Sequence, residues 1–277
     1  MLADTARICE AQIAFWHGAG AGAAKPPFGR YLFMLNAGED GNGGLEHRAS
    51  TALIAARRDL PRREVGVATG TEKAEPSEGY VNTLGLVSHE YFHAWNVKRL
   101  RPREFERYDY TRENYTELLW FFEGFTSYYD DLFLRRSGLI DEGRYLKLVA
   151  RTVTNVAATP GRLAQSVAQA SFDAWVKFYR GDENTLNATI SYYAKGALVA
   201  LALDLTLRAE GQGSLDDVLR LLWARSAGGP IGEADIAAAL ETVGARSYTR
   251  ELAAWVHGTG ELPLHSLLAA AAVALQA

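Results

Sequence analysis

The spacing of apolar residues changes character near residue 80. Ahead of that point, Ile8, Ile13, Ala14 and Phe15 fall close to helical spacing, with Asp4, Arg7 and Glu10 between them, which predicts an amphipathic N-terminal helix. "GAGAGAAKPP" (18–27) is a loop. "RYLFMLNA" (30–37) is an unbroken apolar run that reads as a buried strand, and "GEDGNGG" (38–44) has the composition of a turn. "LEHRASTALIAA" (45–56) follows as an extended segment or edge strand, and the polar 57–79 stretch as a loop. Afterwards helical periods dominate, near 82–97, 113–136, 141–157, 192–209, 214–226 and 233–243, with Gly or Pro between them. This pattern predicts an α+β, mainly helical chain, with a small mixed α/β lobe over 1–80 and a larger helical lobe over 81–277, together one catalytic-sized domain.

Composition changes this picture little. Hydrophobic residues make up 48% and charged residues 22% of the 277, an ordinary globular balance. The net charge of −4 and the lack of a basic tract argue against a nucleic-acid partner. Cys9 is the only cysteine, so neither an intrachain disulfide nor a thiolate zinc cluster can form. The N-terminal segment does not read as a signal peptide, and the apolar tail "LLAAAAVALQA" is too short to span a bilayer. The expectation is a cytoplasmic protein with no membrane partner; its oligomeric state is not readable from the sequence.

The candidate chemistry lies in "LVSHEYFHAW" (86–95), which opens the helical lobe and so sits at the junction of the two. On a helix, positions i and i+4 stack on one face about 6 Å apart along the axis, so His89 and His93 can both reach one cation at about 2 Å. Glu90 lies to one side of the pair, where its carboxylate can take a proton from a water molecule without itself ligating. This is the chemical content of His-Glu-x-x-His. The apolar flanks Leu86, Val87, Tyr91, Phe92 and Trp95 argue against a chance pair on an exposed helix.

A catalytic zinc site needs a third protein ligand. His257 and His265 lie far along the chain, whereas "ELLWFFEGFTSYYDD" (117–131) sets Glu123 inside a strongly apolar run. A glutamate there must be paired, protonated or ligating, because a buried lone carboxylate is costly. The competing reading is a buried salt bridge to Arg99 or Arg101; Glu123 as third ligand is preferred.

Four blocks, "PFGRYLFMLNAGEDGNGGLEHRAST" (27–51), "HEYFHAWNVKRLRP" (89–102), "YTELLWFFEGFTSYYDDL" (115–132) and "SYYAKGALVALALDL" (191–205), together resemble the glycyl aminopeptidase family of gluzincin metallopeptidases. The resemblance covers nearly the whole chain in order. It implies a thermolysin-like catalytic domain holding one zinc per chain, with the active site at the junction of its lobes. The β-rich domain that usually precedes this region in the family, and the PDZ domain that follows it, are not among these residues.

The resemblance also implies roles. Tyr193, in Tyr193-Ala194-Lys195-Gly196, takes the place of the tyrosine that donates to the carbonyl oxygen as it becomes an oxyanion, with Tyr192 as the competing candidate. Gly43-Gly44-Leu45-Glu46-His47 takes the place of the strand lining the substrate cleft. There Glu46 would bind the substrate's α-ammonium, and Gly43 and Gly44 would let its backbone approach. A surface glutamate in a turn is the alternative for Glu46. Asn96, Lys98, Arg99 and Arg101 follow the zinc helix and are given no catalytic role. Ser127 stands where thermolysin has an aspartate that orients a histidine, which leaves Asp130 as a candidate for that task. The expected function is zinc-dependent hydrolysis of N-terminal peptide bonds in peptides with a free amino terminus, and the resemblance implies preference for Gly or Ala there. The rivals are a zinc endopeptidase of the same fold and a catalytically silent, zinc-stabilised interaction domain.

Overall fold

A computed structural model of the chain describes residues 1–20, 22–61 and 75–275. They fall into two compact units, one made of Met1–Ala94 with Tyr129–Leu146, the other of Trp95–Tyr128 with Lys147–Ala277.

The first unit begins with α1 (Leu2–His17), which buries Ile8, Gln12, Phe15 and Trp16 along one stripe. Strands β1 (Leu32–Gly38), β2 (Asn42–Glu46) and β3 (Ser50–Ala56) form a sheet in the order β1-β3-β2, with β1 parallel and β2 antiparallel to β3. The central strand alternates: Thr51, Leu53 and Ala55 are buried, while Ala52 and Ile54 are exposed. Helix α2 (Glu78–Phe92) packs on β2 and β3. It starts at Ser77, whose hydroxyl accepts the Tyr80 N–H at 3.2 Å, one of the donors a helix start leaves without an internal partner. Its sequence is apolar nearly all round, so it is buried on most sides. One side joins an aromatic core in which Phe92 stacks on Tyr129 (5.2 Å) and Phe133 meets Phe15 edge-on (5.4 Å). Tyr129 and Phe133 lie on the second half of a helix spanning Gly124–Arg136.

The second unit is helical. It holds α3 (Leu119–Phe122), the first part of α4 (Gly124–Arg136), which the single residue Glu123 separates from α3, the part of α5 (Glu142–Ala158) from Lys147 on, α6 (Val167–Phe172) and α7 (Thr185–Ala188). Helix α8 (Tyr192–Ala209) is the core element. Ser191 caps it, its hydroxyl accepting the Ala194 N–H at 3.2 Å, and residues Lys195 to Asp204 are all buried. The one carboxylate in that run, Asp204, is satisfied by Tyr128 Oη, Arg208 Nε and the Leu215 N–H, each within 2.8 Å. Helices α9 (Leu215–Ser226), α10 (Glu233–Gly244), α11 (Thr249–Leu252) and α12 (Leu264–Ala270) complete the unit.

A mainly helical chain with a small sheet is as expected, and several boundaries differ for physical reasons. β1 is an edge strand rather than a buried one, and Leu32 and Met34 are 44% and 43% exposed. The stretch 38–44 is turn only over 39–41, because Gly38 ends β1 and Asn42–Gly44 already pair with β3. The histidine helix starts at Glu78, inside the expected loop, and ends at Phe92 rather than residue 97. Within 113–136, the residues before Leu119 are not helical, and Glu123 interrupts the rest. Helices α6, α7, α11 and α12, of four to seven residues, were not anticipated. The remainder of the loop expected over 57–79, residues 62–74, lies outside the described residues.

Phe133 is 1% exposed and touches Phe15, Phe92 and Tyr129, so Phe133→Ala is expected to cost about 3–5 kcal/mol of unfolding free energy. Urea denaturation checks this, and a loss below about 1 kcal/mol would contradict the aromatic core.

Candidate metal centre

The helical spacing of the two histidines survives the end of α2. His93 is the C-terminal cap, still in the right-handed helical region, and its N–H donates to the His89 carbonyl at 3.2 Å. The imidazoles therefore lie together, with ring centres 4.6 Å apart and planes at 88°. His89 Nδ1 donates to Asp130 Oδ2 at 2.9 Å. This fixes the tautomer, with the proton on Nδ1 and the lone pair on Nε2, the arrangement found behind metal-binding histidines. Burial pushes the Asp130 carboxyl above its ordinary pKa, while the His89 ring pulls it back. Asp130 is itself anchored: Ser88 Oγ donates to its backbone carbonyl at 2.9 Å, and the buried Gln12 amide donates to the Ser88 carbonyl and hydroxyl at 2.9 and 3.0 Å. Three helices thus hold one imidazole.

Glu123 owes its place to two features. The carbonyl of Phe122, just before it, accepts from Asn96 Nδ2 at 3.2 Å and from Thr126 Oγ1 at 2.6 Å, so the helix interruption leaves that buried group paired. Beside it, Gly124 meets Gly196 of α8 backbone to backbone. A Cβ on Gly124 would collide with Gly196, and one on Gly196 would collide with Gly124 and the Trp120 carbonyl. The same contact places Tyr193, one turn before Gly196, near Glu123: burial chiefly, and the Glu123 charge next, push the Tyr193 phenol up. Burial likewise pushes Tyr192 up, so both remain neutral donors at neutral pH. The two differ in access. Tyr192 is 1% exposed and packs in the core, whereas Tyr193 is half-buried with its hydroxyl 3.5 Å from that of Tyr179. The lysine of the same motif, Lys195, is buried and donates to the Arg162 carbonyl, a packing role.

One donor atom from each of His89, His93 and Glu123 lies within 4.8 Å of the others, and among the described residues this is the one cluster of His, Cys, Asp and Glu that could hold a metal ion. Two imidazoles and a carboxylate, with no thiolate, are the donor set of a catalytic zinc site, and Asp130 supplies the outer support that such a histidine needs. The residues present fit zinc.

Glu90 turns from the same helix toward the sheet and is 5% exposed. Thr51 Oγ1 donates to its Oε2 at 3.3 Å, and Tyr31 Oη to its backbone carbonyl at 3.3 Å. Gly44 lies against the carboxyl so closely that a Cβ there would overlap it, while Gly43 has open space beside it. The close approach that Gly44 permits is thus to Glu90. Glu46 is half-buried on β2, paired with Thr51, and projects from the face shared with Gly44, two residues away. His47 Nδ1 donates to the Leu45 carbonyl at 3.1 Å. Its N–H donates to the Ser50 carbonyl at 2.8 Å, and bonded pairs alternate along an antiparallel ladder, so Gly44 and Glu46 turn their backbone groups away from β3 on an edge strand. Sequence reasoning missed Thr51 and Tyr179. Thr51 sits in an ordinary strand alternation that gives no sign of its partner 39 residues away. Tyr179 lies in no recognisable motif.

Residues 82–199 match the family model of M61 glycyl aminopeptidase. The chain is similar to an aminopeptidase N family protein from Idiomarina loihiensis, with 40% identity over 97% of its length and a TM-score of 0.81, and it spans 44% of that protein. It shares its fold with a mutant M1 zinc metallopeptidase from Deinococcus radiodurans (TM-score 0.56, 18% identity, 94% of this chain and 46% of that one). No curated protein is significantly similar. The stretch that matches the M61 glycyl aminopeptidase model is the one that carries His89, Glu90, His93, Glu123 and Tyr193.

Proposed function

We propose that the chain is a zinc-dependent aminopeptidase that removes small residues, Gly or Ala, from peptides with a free amino terminus. The observation that carries this reading is the convergence of His89, His93 and Glu123 donor atoms, with Glu90 one residue along the same helix from His89. One zinc ion held by those three side chains would supply Lewis-acid polarisation of a water and of the scissile carbonyl.

The remaining work falls to the chain's own groups. Glu90, held against β2, takes a proton from the attacking water and passes it to the departing amine nitrogen. Tyr193 stays protonated and donates its hydroxyl hydrogen to the carbonyl oxygen as negative charge grows there. Glu46 accepts from the substrate's α-ammonium, a charge-assisted contact that fixes how far the peptide enters and so which bond is cut. The outward backbone groups of Gly44 and Glu46 offer an edge on which an extended peptide can add as a further strand, with Gly43 leaving room beside it.

Metal analysis of chelator-free protein is expected to give close to one equivalent of zinc, and His93→Ala to lose it. Full occupancy in that variant would contradict the ligand assignment.

Glu46→Gln keeps an acceptor and removes the charge. Catalytic efficiency on free glycyl substrates is expected to fall roughly a hundredfold or more, with zinc content unchanged. N-acetylated substrates should be poor for the parent and no worse for the variant. Equal cleavage of free glycyl substrates by both would place amine recognition elsewhere and favour an endopeptidase.

A further inference from the structure

We infer that Thr51 is a positioning residue for the Glu90 carboxylate, and that through Thr51 and Gly44 the edge strand β2 sets where the base stands. This rests on Glu90 acting as the base.

The Thr51 side chain is fully buried, so its hydroxyl has no water to donate to and must find a partner within the protein. Three acceptors lie in reach: the Leu45 carbonyl at 3.2 Å, Glu90 Oε2 at 3.3 Å and the Ala52 carbonyl at 3.5 Å. It has one proton. Leu45 and Ala52 form a bonded ladder pair, so each of their carbonyls already has a backbone donor, and a carboxylate is the stronger acceptor. The proton therefore goes to Glu90. On the other side of the carboxyl, the missing side chain of Gly44 lets the strand backbone close in. Oε2 is tethered to β3 and the rest of the carboxyl is packed against β2, which restricts rotation about the terminal bond of the side chain.

The same two residues bracket the proposed amine anchor. Thr51 is the cross-strand partner of Glu46, and Gly44 is its neighbour on the same face. A substrate that adds to β2 and seats its ammonium at Glu46 docks on the strand against which the base is registered. Proton transfer depends steeply on the distance and angle of the accepting oxygen, so a loosened carboxylate slows the chemical step without weakening the hold on the substrate.

Thr51→Val keeps the shape and removes the donor. It is expected to lower kcat on a glycyl amide about tenfold or more, with KM changed less than about threefold and with zinc affinity, measured by competition with a chelating dye, unchanged. Thr51→Ser, which keeps the hydroxyl, should restore most of kcat. If Val proves too unstable by thermal unfolding, Thr51→Ala poses the same question. A kcat within about twofold of the parent in Val or Ala, or a loss that Ser does not restore, overturns the inference. Glu90→Gln in parallel separates the two readings: if it keeps parental turnover, Glu90 is not the base and the premise fails, whereas loss in Glu90→Gln with no loss in Thr51→Val sinks the positioning role alone.

Discussion

A helix buried on most sides can carry His89, Glu90 and His93 only if each polar group meets a partner, and the fold around α2 is arranged to supply them. One of these contacts is the 2.9 Å hydrogen bond from His89 Nδ1 to Asp130. It sets the tautomer of the imidazole, with the proton on Nδ1 and the lone pair on Nε2. The Asp130 backbone is in turn fixed through Ser88 to Gln12, so α1 and the aromatic core beneath it bear on the orientation of one ring. Packing and chemistry are continuous there: Phe92, between Glu90 and His93 in sequence, is the residue that stacks on Tyr129 next to Asp130.

In the second unit a different constraint does the equivalent work. Gly124 follows Glu123 directly, Gly196 follows Tyr193 by three, and the two glycines touch. A methyl group on either would push the helices apart, and with them the Glu123 carboxylate and the Tyr193 phenol. The lysine within that motif is used for packing, with its ammonium on the Arg162 carbonyl. The free thiol of Cys9, pushed up to about 12 by burial, takes no part as a thiolate.

Much of this was legible in the sequence because it is local. The i, i+4 histidines, the glutamate stranded in an apolar run and the long helical periods all show within a window of about twenty residues. What was missed depends on distant strands and helices. That β1 is half exposed follows from the order β1-β3-β2, which no feature of "RYLFMLNA" encodes. The break at Glu123 comes with a tertiary hydrogen bond, from Asn96 to the Phe122 carbonyl, that no local window displays. Helices of four to seven residues are too short to display a period. Asp130 could be named as a candidate from its place after Glu123, but only the fold shows it bonded to His89, and Thr51 was invisible because its partner lies on another element.

The account stands on metal-dependent chemistry at one site, and hydrolysis of a glycyl amide with a free amino group before and after chelation tests that directly. Treatment with a strong chelator followed by its removal is expected to abolish turnover, and adding back about one equivalent of zinc per chain to restore it, with no change in secondary structure by circular dichroism. Turnover that persists in metal-free protein would contradict the account.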